Sequence, residues 1–108
     1  MSGPKSCKLL GKWRITKSDL WDKAHLDLVE PAYVIFQDDG HGEIAFGALN
    51  AGLDLEYAKT MVFFTWEGFE EMDEMRGSGS AQLNDDGTLS IEFAYHYGDD
   101  AELTAKPW

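Results

Sequence analysis

Residues 84–97 read Asn-Asp-Asp-Gly-Thr-Leu-Ser-Ile-Glu-Phe-Ala-Tyr-His-Tyr, a turn signal followed by a stretch in which every second side chain is apolar. Strict alternation of this kind predicts a β-strand with one face in a core and the other in water. The side chains predicted to share the inward face are Leu89, Ile91, Phe93, Tyr95 and Tyr97. Residues 53–57 alternate in the same way, with Asp54 and Glu56 on the solvent face. Two such segments favour an antiparallel sheet.

The rest of the chain predicts further strands joined mainly by short turns. Additional strands are expected at 9–16, 32–37, 43–49, 61–66, 77–83 and 102–106. Residues rich in Gly, Asn and Asp mark turns at 38–42, 50–52 and 84–87. The chain therefore predicts about eight strands.

The middle of the chain departs from regular alternation. Residues 61–66 are apolar on both faces, which predicts the most deeply covered strand. Residues 67–76 carry five acidic side chains and are expected to form a loop. The Gly-Ser repeat at 77–80 predicts a bend or a close approach of two backbones.

One segment has helical rather than strand spacing. Residues 18–28 predict a short N-terminal helix, capped by Ser18 and Asp19 and ended by Pro31. Parallel strands need long crossovers, and the chain has no second helix to supply them, so the strands should form an antiparallel meander. Closure into a small barrel would remove the exposed edges. We expect one all-β domain over 1–108, with residues 1–7 flexible.

Gly11-Lys12-Trp13, at the start of the first strand, resembles the G-x-W motif of the lipocalin and fatty-acid-binding (calycin) families. In those families the tryptophan plugs the closed end of a barrel whose interior holds an apolar ligand. The chain also resembles a family of small uncharacterised bacterial proteins, which implies the same fold and a bacterial or phage-like origin. The residues that carry this second resemblance are Trp21-Asp22, Asp27-Leu28, Pro31-Ala32-Tyr33, Gly42-Glu43, Phe46-Gly47, 64–68 and 96–100.

The charge of the chain is strongly negative and unevenly distributed. Nine Lys and Arg against twenty Asp and Glu give a formal net charge of −11. Residues 1–23 hold six cations and two acids, whereas residues 24–108 hold three cations and eighteen acids. The acidic part should repel phosphates, so direct nucleic-acid binding is not expected. The charge serves either solubility alone or contact with a basic partner.

Two further features bear on where the protein acts. The apolar runs are too short for a membrane-spanning helix, and the first residues lack a signal-peptide core. Cys7 is the single cysteine, which fits a reducing cytosol. We therefore expect a cytoplasmic protein without membrane contact.

The acidic stretch at 67–76 is the first candidate for function. Apolar side chains framed by carboxylates are typical of protein recognition, although Phe69, Met72 and Met75 could instead fold back over a barrel end. The predicted partner is a protein with a basic surface, such as a nucleic-acid-binding protein that is inhibited by a nucleic-acid mimic. The residues predicted to contact it are Glu67, Phe69, Glu70, Glu71, Met72, Asp73 and Glu74.

A lipocalin-like carrier of a small apolar ligand is the alternative. Its ligand would lie among the inward aromatic side chains, unless these fill the barrel themselves. Those residues are Phe36, Phe46, Tyr57, Phe93, Tyr95 and Tyr97. The exposed side of the strand at 61–66 could also join two copies in a homodimer.

Enzymatic chemistry has little support in the sequence. The acidic stretch lacks the EF-hand spacing for Ca²⁺, and the three histidines lack zinc-ligand spacing. Glu67, or His96 with Asp99 and Asp100, could act as an acid–base group. Nucleophile and phosphate-loop motifs are missing. We expect a non-enzymatic protein without a metal or cofactor.

Overall fold

The computed structural model describes residues 8–19, 21–28, 30–96, 98 and 100–108. Eight antiparallel strands follow one another around a closed barrel, so the predicted all-β meander barrel is confirmed. Strand β1 pairs with β8 to close it. The elements are β1 (Gly11–Ser18), α1 (Lys23–Leu26), β2 (Tyr33–Phe36), β3 (His41–Phe46), β4 (Leu49–Tyr57), β5 (Met61–Glu70), β6 (Asp73–Leu83), β7 (Leu89–Tyr95) and β8 (Asp100–Pro107).

The alternation in the sequence produces the core. Leu89, Ile91 and Phe93 on β7 are at most 1% exposed, as predicted, while the intervening Glu92 faces solvent. Trp13 of the G-x-W motif is also in the core, where its indole N–H donates to the Leu9 carbonyl at 2.9 Å. One apolar cluster therefore fills the barrel, and its largest fully buried members are Trp66, Phe36, Phe93, Leu9, Ile15, Leu26, Ile44, Leu49, Leu89, Ile91, Leu103 and Val34.

Helix α1 is much shorter than the predicted helix over 18–28. The expected cap, Asp19, instead extends the β1–β8 pairing, because its carboxylate and its backbone N–H bond to the backbone of Glu102. Asp22 caps the helix, accepting the His25 backbone N–H at 2.9 Å. The helical part of the described chain is too short to cross a membrane.

The turn between β3 and β4 lies earlier than predicted. The chain reverses at Gly47 and Ala48, where Gly47 has a φ of 57° that favours glycine. The predicted turn at 50–52 is wrong, since these residues belong to β4 and pair with both β3 and β5. Tertiary pairing on two sides overrides the local turn preference of Asn and Gly.

The sequence predicted that the strand at 61–66 would be covered on both faces, but β5 is covered on one face only. Phe63 points outward and is 49% exposed, with Glu56 and Ser80 opposite it on the neighbouring strands. Strand β6, the glycine-rich neighbour of β5, shows the predicted close approach between its backbone and neighbouring groups. A Cβ on Gly79 would lie 2.2 Å from the Glu92 carbonyl oxygen and 2.7 Å from the Phe64 ring. Glycine is required there because β7 and the Phe64 ring leave no space.

Candidate functional site

The acidic stretch at 67–76 is a β-hairpin, so the predicted loop is wrong. Strand β5 continues to Glu70, strand β6 begins at Asp73, and only Glu71 and Met72 form the turn. We call residues 67–76 the acidic hairpin. Strand β4 pairs with β5 along this extension, whereas β7 pairs with β6 only from Gly77 onward. The acidic hairpin therefore projects past the edge of β7.

The apolar side chains of the acidic hairpin divide between solvent and core. Phe69 is 58% exposed and Met72, at the tip, is 96% exposed. Met75 packs against the barrel core. Of the three side chains that could have folded back over the barrel end, only Met75 does so. Phe69 and Met72 are therefore two solvent-exposed apolar side chains at one end of the barrel.

Carboxylates surround these two groups. Among the residues that the structure describes, no ion pair within 4 Å neutralises the acidic side chains of the acidic hairpin. Arg76 is the single cation within the hairpin sequence and is the cross-strand neighbour of Glu67. Phe69 lies opposite Glu74 on the same outer face. The acidic side chains are Glu67, Glu70, Glu71, Asp73 and Glu74.

The two turn residues have backbone conformations that side chains disfavour. Glu71 has a φ of 55° and Met72 a φ of 139°. A two-residue hairpin turn prefers Asn-Gly or Asp-Gly, because both central residues need positive φ. Met72 in particular occupies a region where a non-glycine residue is strained by about 1–3 kcal/mol. The tip thus presents a large apolar side chain at some cost in stability.

The phenylalanines among the residues proposed for an apolar ligand belong to the barrel core. Phe36, Phe46 and Phe93 are at most 3% exposed. The Phe93 ring stacks on Trp66 with 4.5 Å between centroids and meets the Phe46 ring edge-on at 5.1 Å. The middle of the barrel is therefore occupied by side chains, as is common in small eight-stranded barrels.

The tyrosines of the same set have other surroundings. The Tyr57 hydroxyl donates to the Gln37 carbonyl and accepts the Gly40 backbone N–H, so it holds the β2–β3 turn. Tyr95 packs edge-on against Trp66, and its hydroxyl oxygen is buried without a hydrogen-bond partner in the described structure. Burial, with a smaller contribution from the charge of Glu70, raises the pKa of Tyr95. Tyr97 lies outside the described residues.

The candidate acid–base residues are at the surface. Glu67 and His96 are both exposed and line one shallow depression on the outer face of β4–β7, together with Asp54 and Arg76. Asp99, expected beside His96, lies outside the described residues. Among the described side chains, no group of three His, Cys, Asp or Glu residues has an arrangement that could hold a metal ion.

The structure has a second charged surface, which was not predicted from the sequence. The basic strip, as we call it, joins the outer faces of β1 and β8, where Arg14 lies directly opposite Lys106. The Lys12 ammonium lies 4.0 Å from the centre of the Trp108 ring and 5.0 Å from that of Tyr33. The strip consists of Lys12, Arg14, Tyr33, Lys106 and Trp108. The positive balance of residues 1–23 was the available signal.

The described part of the chain therefore has two charged surfaces, the acidic hairpin at the β5–β6 turn and the basic strip on β1 and β8. Comparisons of the chain with protein-family models and with curated proteins find no match.

Proposed function

We propose that the chain is a non-enzymatic acidic binding protein that contacts a basic partner through the acidic hairpin. The observation that carries the proposal is the exposure of Phe69 and Met72 among carboxylates that have no ion-pair partner in the described structure. Apolar anchors supply affinity when they become desolvated, and surrounding charges supply orientation and rate of encounter. A surface of this kind matches a partner that has apolar pockets bordered by Lys and Arg.

The remaining outer face of the barrel supports a basic partner. Asp54 on β4 and Glu92 on β7 are exposed. Glu92 lies directly opposite Glu102 on β8, and like charges in that position repel each other. A cationic partner would relieve this repulsion, and the wider negative field would speed its association. A nucleic-acid-binding protein has the required basic surface, so we propose inhibition by occupation of that surface, of the phage anti-defence type.

The packing of the barrel interior favours this proposal over the ligand carrier. Trp66, Phe93 and Phe46 occupy the space in which an apolar ligand would lie. Entry of a ligand would require these rings to move apart, at the cost of the packing that stabilises the core. The acidic hairpin requires no such rearrangement.

Affinity capture from the native host tests the proposal. Immobilised wild type should retain proteins of basic isoelectric point in low salt and release them in high salt, because exposed charges are screened. The variants Phe69→Ser/Met72→Ser and Asp73→Lys/Glu74→Lys should lose them. Added DNA or RNA should displace a retained nucleic-acid-binding protein.

The matched control is Glu56→Lys/Asp85→Lys, which makes the same charge change at exposed positions at the other end of the barrel. It should retain the same proteins as wild type. Equal capture by all four proteins, or capture that is insensitive to salt, would contradict the proposal.

A further inference from the structure

We propose that the basic strip of one copy binds the acidic hairpin of a second copy, so that the protein associates head to tail. The contact would pair the exposed cations of the strip with the carboxylates beside the hairpin turn. It would also bring Met72, which is 96% exposed, against the ring of Trp108, which is 58% exposed. Sulfur–aromatic contacts of this kind are favourable.

The strip is arranged to receive an anionic group beside an apolar one. A shallow depression on its surface is lined by Arg14, Thr16, Lys106, Pro107 and Trp108. Arg14 also lies near the Trp108 ring, with 5.6 Å from its guanidinium carbon to the ring centre. A carboxylate can bind between Arg14 and Lys106 while the Met72 sulfur contacts the edge of the indole ring, where sulfur–aromatic contacts are often made.

The strip suits a short acidic segment better than a nucleic acid. Arg14 is already paired with Asp27 at 2.8 Å, so Lys12 and Lys106 are the two cations of the strip that have no ion pair among the described residues. Lys12 covers a face of Trp108, so a base would have to displace it in order to stack there. A longer polyanion would also meet Glu102 on β8. The acidic hairpin has the required length, because its carboxylates and Met72 lie within eight consecutive residues, 67–74.

The two surfaces lie at opposite ends and opposite sides of the barrel. Trp108 follows the end of β8 where β1 begins, and the β5–β6 turn is at the other end of the strands. Strand β5 is also four strands away from β1 in either direction around the barrel. One copy therefore cannot satisfy its own strip, and a pair of copies leaves one hairpin and one strip free. Such heterologous contacts extend into chains instead of closing as a symmetric dimer.

The net charge of −11 does not prevent this contact. At physiological ionic strength the Debye length is about 8 Å, so most charges of the two copies are screened from each other. The charges that decide the contact are those within the interface, where the strip and the hairpin have opposite signs. Because the basic partner proposed above needs the same hairpin, the second copy and that partner should compete for it.

Charge exchange between two variants tests the contact without any other partner. Lys12→Glu/Lys106→Glu keeps the acidic hairpin and reverses the strip, whereas Asp73→Lys/Glu74→Lys keeps the strip and reverses the hairpin. In sedimentation equilibrium, wild type should show a mass that rises with concentration above 12.1 kDa. Each variant alone should associate at least about tenfold more weakly than wild type. This is the scale of one lost close charge pair. Their equimolar mixture should associate at least as well as wild type.

Matched controls separate this result from a general effect of charge. Lys8→Glu/Lys59→Glu removes two exposed cations near the β4–β5 turn and should associate like wild type, as should Glu56→Lys/Asp85→Lys. Circular dichroism verifies that each variant is folded. A monomeric wild type, or a mixture that associates no better than its components, would overturn the proposal. So would association that survives both charge reversals and is lost in Phe63→Ser, since that result assigns the contact to β5.

Binding of a single-stranded oligonucleotide to the strip, tested by fluorescence anisotropy, would overturn the choice of a second copy as its occupant. Failure of the self-contact leaves the capture experiment unaffected, because that experiment follows basic proteins instead of the chain itself. The two proposals can therefore fail separately.

Discussion

The indole of Trp66 stacks on the ring of Phe93, with centroids 4.5 Å apart and an angle of 18° between the planes. The first residue comes from β5 and the second from β7, and the glycines opposite them on the intervening β6, Gly77 and Gly79, have no side chains to separate them. The contact links two strands that are not hydrogen-bonded to each other. It is part of the packed core at the centre of the barrel.

Truncation of Phe93 should destabilise the protein strongly. Phe93→Ala leaves a cavity beside Trp66 and should lower the free energy of unfolding by about 3–5 kcal/mol. Equilibrium urea denaturation followed by tryptophan fluorescence measures the change. Phe63→Ala is the matched control on the outer face and should change stability by about 0.5 kcal/mol or less. Similar losses in the two variants would contradict the assignment of Phe93 to the core.

An apolar probe should distinguish a filled barrel from a carrier. A fluorescent fatty acid titrated into wild type should show no saturable binding, because Phe36, Phe46 and Phe93 are buried among other side chains. Phe93→Ala is the comparison, since an apolar cavity of this kind can accept a small hydrophobic molecule such as benzene. Stoichiometric binding of the fatty acid to wild type would support the carrier.

Relief of the turn strain should stabilise the acidic hairpin. Glu71→Asn/Met72→Gly places the preferred residues at the two positive-φ positions and should raise the free energy of unfolding by about 1 kcal/mol. The same variant should capture less of the basic partner, because Met72 is lost. Glu71→Asn alone keeps Met72 and should retain more capture. A double variant that gains stability and captures fully would show that Met72 is not an anchor.

Asp27 should contribute much more to stability than Asp54. Its carboxylate accepts hydrogen bonds from the Arg14 guanidinium at 2.8 Å and from the Ala32 backbone N–H at 2.9 Å. Asp27→Ala removes both and should cost about 1–3 kcal/mol. Asp54 lies 3.3 Å from His41, but both side chains are more than half exposed. Asp54→Ala should therefore cost less than about 1 kcal/mol, measured by the same urea titration.

Removal of the Tyr95 hydroxyl should stabilise the protein, and more so at high pH. The oxygen is buried without a partner in the described structure, so Tyr95→Phe should gain about 1 kcal/mol at neutral pH. Because the pKa of Tyr95 is raised in the folded state, the unfolded chain loses its proton first as the pH rises past about 10. Wild-type stability should therefore fall above that pH.

Urea midpoints of wild type and Tyr95→Phe at about pH 9, 10 and 11 measure how stability depends on pH. These values lie on the order of one unit either side of the ordinary tyrosine pKa. Burial and a hydrogen bond to Glu43 also raise the pKa of Tyr33 from 10.0 to about 12, so Tyr95→Phe keeps part of the alkaline loss. Its stability should fall less steeply than that of wild type. Parallel curves for the two proteins would contradict burial of the Tyr95 hydroxyl.

The strands with regular alternation were predictable from local pattern. Residues 53–57 and 89–95 have a period of two, and the faces expected to be buried or exposed largely agree with the structure. The acidic hairpin was not predictable in this way. Phe69 lies on its solvent face and Glu70 on the opposite face, so the usual relation between apolar side chains and the core is reversed there. Alternation of apolar and polar residues predicts a strand only where one face of that strand packs against a core.

The number of strands and the negative charge follow from the order of residues along the chain, because alternation, turn residues and charge are local or additive properties. The basic strip and the filled interior depend on the closed barrel. Arg14 and Lys106 are far apart in sequence and become neighbours only when β1 pairs with β8. Trp66 and Phe93 meet only because β5 and β7 lie on either side of β6, whose Gly77 and Gly79 leave space for the two rings. Contacts of this kind depend on the registers and curvature of all eight strands together, which no local segment specifies.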